Sequence, residues 1–159
     1  MHDPESMAEP DYEPFEGAPV APRRGVPSFW GIGERATWVA GLVLALSAFT
    51  GWYAGTGEGV SVSVLGWHTG VLGKLVFFVG IAVLLLVLLR HTGIELPASV
   101  PESLVVIVLG SLGTIFTLVR LISIPDEFFF AGRGIGLFIS LGAALALIVA
   151  GLLEATEEL

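Results

Sequence analysis

An all-α membrane protein with four transmembrane helices, folded as two antiparallel hairpins with a short strand-like loop between helices 1 and 2, is the architecture this sequence predicts. Three observations carry the expectation. Leu75 to Leu89 are fifteen apolar residues in succession between Lys74 and Arg90. At ~1.5 Å per residue, roughly 20 helical residues cross a hydrocarbon core about 30 Å thick, so the run extended back through Val71 makes a span. Charged residues form only 14% of the chain, against roughly 25% in an ordinary soluble domain, and mean hydropathy is +0.86. Too few polar groups exist to clothe a water-soluble core. Finally, the net charge of -8 is gathered at the ends, in Asp3, Glu5, Glu9, Asp11, Glu13 and Glu16 and then in Glu154, Glu157 and Glu158.

Residues 1–28 hold six prolines and six acids with few large apolar groups. Such a mixture cannot bury enough surface to offset the entropy of ordering, so a disordered tail is expected ahead of a transmembrane domain over 29–155. The tail lacks the basic start and apolar run of a secretory signal peptide, which leaves targeting to the first hydrophobic helix. Phe29 and Trp30 then form an interfacial anchor.

Span one is predicted over 36–55, twenty residues without a charge, ending in Phe49, Trp52 and Tyr53. Trp52 and Tyr53, like Trp30 and Trp67, are amphipathic aromatics suited to headgroup depth. Val60, Val62 and Val64 alternate with Ser61 and Ser63, the period of a strand with one dry face. Such a strand needs a partner. A neighbouring subunit or the bilayer surface could supply one, or the segment is an extended loop.

Span two is predicted over 71–90, with Lys74 snorkelling to the headgroups along its own stem. Pro97 and Pro101 stop the helix from continuing. Ser99 and Glu102 stand three apart, as in a capping box that would open the third helix. Span three covers 103–124 and is uncharged from Ser103 through Val119, after which Arg120 precedes Pro125. The connection from Asp126 to Arg133 is too short to cross back, so span four, over 134–153, forms a hairpin with span three.

Four crossings bring both termini to one side. That side carries Arg23, Arg24, Arg35 and Arg90 against Lys74, Arg120 and Arg133 on the other, so the positive-inside rule favours cytoplasmic termini in a plasma (inner) membrane. Helix association in lipid relies on close backbone approach. Gly132, Gly136, Ser140 and Ala144, at intervals of four, offer a small-residue stripe for it, and Gly110 and Gly113 mark a close-packing patch on span three.

The inventory of chemistry is short. No span contains Asp, Glu or His between its charged flanks, so no proton relay, metal cage or carboxylate pair is expected in the interior. Neither enzymatic activity nor a cofactor is expected, and with no cysteine there is no thiolate or disulfide. No basic patch exists to neutralise nucleic-acid phosphates. Gly132-Arg-Gly-Ile-Gly136 lacks the spacing and the preceding strand of a phosphate-binding loop. One constellation stands out: Lys74, Arg120 and Arg133, with Asp126, Glu127 and Glu58, fall at one membrane face. Arg120 is its sharpest member, and Asp126 or Glu127 its obvious partner. These cations either clip helix ends at the interface or receive an anionic headgroup or a partner protein.

The pair Trp52-Tyr53 ending the first span, the Ser/Val alternation running into Trp67, the step Leu96-Pro97 before span three, and Arg120-Leu121 before a proline together resemble a group of small, uncharacterised four-span proteins of actinobacterial type. The resemblance covers 36–155, with Gly51 where that group carries a proline before the aromatic pair. It implies a fold and hardly a function. The expectation is thus a non-enzymatic accessory or scaffold subunit, in contact with lipid and with other membrane subunits or its own copies. The alternative is the protomer of an oligomeric channel or transporter. A pore would need polar residues along one helix face, and Thr37, Ser47, Thr50, Ser111, Thr114 and Thr117 belong to a class of hydroxyls that more often bond back to their own helix.

Overall fold

A computed structural model describes residues 31–57, 60–94, 96–124 and 132–159. The tail over 1–28, Trp30, Asp126, Glu127 and the phenylalanines at 128–130 lie outside the described residues. The elements run α1 (Ile32–Ser47), β1 (Gly51–Gly57), β2 (Val60–Leu65), a short 3-10 turn (Gly66–His68), α2 (Val71–His91), α3 (Glu102–Ile122), β3 (Gly132–Arg133) and α4 (Ile135–Glu158).

Three helices, α2, α3 and α4, are long and apolar enough to cross a membrane. α1 is shorter, with 16 residues, or ~24 Å of helix at the standard rise. Here the structure departs from the expected span over 36–55. The α-helix stops at Ser47, and the N–H groups of Ala48, Phe49 and Thr50 reach back only three residues, to Ala45, Leu46 and Ser47. The chain then turns into β1. The Ser47 carbonyl left at the helix end accepts from the Thr50 hydroxyl at 2.6 Å and from the Trp52 indole N–H at 2.9 Å, which is what allows the helix to end inside protein.

β1 is the partner that the Ser/Val strand requires. It pairs antiparallel with β2, Tyr53 facing Val64 and Gly55 facing Val62, with an irregularity between Gly51 and Tyr53. β3 pairs with the other edge of β1, Tyr53 facing Arg133 and Ala54 facing Gly132, giving the order β2-β1-β3.

The helices form a ring in which every neighbour is antiparallel. α1 meets α2 where Gly41 abuts Val83 and Gly80 abuts Ala45, and α3 meets α4 where Gly110 abuts Leu147 and Ile148 and Gly151 abuts Ile107. The ring closes between the first and last helices, through Gly33 against Glu154 and a Ser140–Ser47 hydrogen bond of 2.7 Å. At Gly80 an added Cβ would stand 2.6 Å from the Ala45 nitrogen, so the α1 and α2 backbones touch. That is the close approach on which association in lipid depends.

Leu44, Val76, Val83, Val106, Leu137 and Leu147 are fully buried along the bundle axis, and Trp52 and Tyr53 close it at the sheet end. The small-residue stripe enters this packing from Gly136 onward. Gly136 lies against Thr50, Gly51 and Trp52, Ser140 against Ser47, and Ala144 against Gly113. Gly132 is off the stripe, because α4 begins only at Ile135 and Gly132 pairs with Ala54 in the sheet. The capping box does not form either. α3 opens on Pro101 in extended backbone, without a side-chain cap. Glu102 turns to Arg90 instead, while the first-turn Ser103 N–H is met by Glu158 of α4 at 3.4 Å.

Candidate functional site

Polar side chains collect at the two ends of the bundle. At the end holding the start of α1 and the end of α4, Glu154 is 4% exposed. A buried carboxylate is costly unless it is paired and hydrogen-bonded, and Glu154 has both kinds of partner. One oxygen accepts from the Thr37 hydroxyl of α1 at 2.6 Å, and the other from Arg90 Nη2 of α2 at 3.1 Å. Arg90 Nε faces Glu102 of α3. Four helices thus meet in one charge-assisted network. Beside it the Ser103 hydroxyl donates to Glu158 at 2.7 Å, and His91 Nε2 lies 3.1 Å from Glu34.

The sequence gives only one sign of this network. Continuing the buried face of α4 from Ser140 and Ala144 by helical steps through Leu147 and Gly151 leads to Glu154, which reads as a terminal acid when taken alone. What turns it inward is Gly33, against whose bare backbone the Glu154 side chain packs.

At the opposite end the structure brings Lys74, Arg120 and Arg133 to the sheet face of the bundle but gives each a different local role. Lys74 Nζ lies 5.7 Å from the centroid of the Trp67 ring, within cation–π range. Trp67 stacks on Phe49 and meets Phe77 edge-on, with ring centroids 5.7 and 5.3 Å away. Arg133 Nε donates to the Leu121 carbonyl. Arg120 lies beside Gly70, where an added Cβ would stand 2.8 Å from Nη2. Its Nε is buried with no hydrogen-bond partner among the described residues. Asp126 and Glu127, the partners expected for it, lie outside those residues.

Trp52 and Tyr53, suited by their chemistry to headgroup depth, are both wholly buried within the protein. The Tyr53 hydroxyl donates to the Arg120 carbonyl at 2.8 Å. Burial pushes the phenol above its ordinary pKa of 10.0, while the nearby Arg120 and Arg133 cations pull the other way. Trp67 is half-buried.

Most hydroxyls within the helices are internally satisfied. Ser111, Thr114 and Thr117 donate to the carbonyls of Ile107, Gly110 and Gly113, each at 2.8 Å, and Ser47 and Thr50 likewise bond to preceding carbonyls. Thr37 departs from this habit because Glu154 is the stronger acceptor. Among the described residues, no group of three or more His, Cys, Asp or Glu side chains could hold a metal ion. No protein-family model matches the chain, and comparison with curated proteins and with solved structures likewise finds no match.

Proposed function

We propose that this chain is an integral membrane protein that crosses the bilayer four times and acts as a non-enzymatic accessory or scaffold subunit, within a larger membrane complex or an assembly of its own copies. In this reading the termini face the cytoplasm and the membrane is the plasma (inner) membrane. The observation that carries it is the contrast between inside and outside. The interior is closed by glycine-to-helix contacts and self-satisfied hydroxyls, whereas large apolar side chains point outward on every helix, Val43, Phe78, Ile115 and Val149 among them. The turn over Ala48 to Thr50 lengthens α1 enough to serve as the fourth crossing. The four-span resemblance seen in the sequence points the same way.

The test is to purify the full chain in mild detergent and identify what accompanies it. Recovery in a stable larger assembly supports the accessory role. An isolated homo-oligomer that conducts ions after reconstitution, with conductance altered by Arg120→Ala, overturns it in favour of a channel.

A further inference from the structure

A cavity of about 620 Å³ opens between α1 and α2 at the end of the bundle where α1 starts and α4 stops, lined by Glu34, Arg35, Trp38, Val39, Val87 and His91, with Gly31 at its rim. Its lining is ordered by depth. Residues 31, 34, 35, 38 and 39 follow the spacing of one helical face, so Glu34 and Arg35 lie about one turn, ~5 Å, nearer the bundle end than Trp38 and Val39. His91 and Val87, one turn apart on α2, repeat that order on the facing wall. The upper layer is polar and the lower layer apolar.

The charges are not equivalent. Glu34 is engaged by His91 at 3.1 Å, whereas Arg35 is exposed and has no ion-pair partner among the described residues. Trp38 and Val39 are 48% and 50% exposed, leaving an open apolar wall below an uncommitted guanidinium.

From this we propose a binding site for one anionic phospholipid, with its headgroup phosphate on Arg35 and the first methylenes of an acyl chain against Trp38 and Val39. A planar guanidinium suits a phosphate with two parallel N–H donors. The cavity volume suits a headgroup and glycerol region, leaving the remaining acyl chain in the bilayer. This site lies at the opposite end of the bundle from Lys74, Arg120 and Arg133. It rests on the proposal that the protein spans a membrane.

The test is native mass spectrometry of the full-length protein in mild detergent, titrated with phosphatidylglycerol or with phosphatidylcholine of the same acyl chains. One phosphatidylglycerol is expected to be retained in preference, and Arg35→Gln to weaken it about fivefold, the effect of one basic side chain near anionic lipid. Val39→Trp, which obstructs the apolar wall, lowers retention of both lipids, while Arg133→Gln at the far end changes neither. Equal retention of the two lipids, indifference to Arg35→Gln, or displacement by inorganic phosphate overturns the site. Alkaline carbonate extraction of the same protein from membranes keeps the two proposals apart. Release overturns the membrane reading itself, whereas retention without a lipid preference overturns only the site.

Discussion

Removing Arg90 is expected to damage the protein more than removing the charge it neutralises. In Glu154→Gln, Thr37 keeps an acceptor and Arg90 keeps Glu102. What is lost is one charge-assisted hydrogen bond, now spanned at 3.1 Å, for about 1.5–3 kcal/mol. In Arg90→Gln, a carboxylate that is 4% exposed is left with one hydroxyl, and a stranded buried charge costs about 3–5 kcal/mol. Arg90→Gln/Glu154→Gln removes that stranded charge, so the double variant should be more stable than Arg90→Gln alone. Reversible unfolding in mixed micelles, with SDS as denaturant and helical circular dichroism as readout, measures all four species. A loss in Arg90→Gln no larger than in Glu154→Gln, or a double variant no more stable than Arg90→Gln, would refute the reasoning.

Further outcomes follow from packing and ionisation. Gly80→Ala sets a methyl against the Ala45 backbone and should destabilise by about 1–3 kcal/mol. Gly142→Ala meets nothing within 4 Å and should gain up to about 1 kcal/mol in helix propensity; the same unfolding assay checks that the two signs differ. Trp52→Phe removes the indole donor to the Ser47 carbonyl and should lose at least about 1 kcal/mol, with amide exchange faster at the end of α1. Absorbance titration of the phenols should show a step above the ordinary phenol range, absent in Tyr53→Phe. Because the folded value is raised, the stability Tyr53 contributes is complete below about 10 and declines as pH climbs through the folded pKa.

The helices α2, α3 and α4 were legible because their boundaries coincide with charges and prolines, and the hydroxyls of Ser111, Thr114 and Thr117 behave as their helical setting dictates. The end of α1 was not. Gly51-Trp-Tyr-Ala-Gly55 is uncharged, so hydropathy carries the span through it, and only the glycines and the aromatic pair hint at extended backbone. The Ser/Val strand was visible by its alternation, but its partner has no such pattern. The Glu154 network escaped for a different reason. Its members Thr37 and Arg90 lie 117 and 64 residues away along the chain, and no local pattern encodes a meeting between them. The three cations of the sheet end have separate local roles that depend on Trp67, Gly70 and the Leu121 carbonyl, neighbours set by the fold.

The seam between α1 and α4 has a consequence for biogenesis. Thr37 and Ser47 are translated 117 and 93 residues ahead of the Glu154 and Ser140 that complete them. The nascent chain must therefore hold its first helix in waiting until α4 has been made. A product truncated after α3 would present an unzipped flank to cellular quality-control proteases.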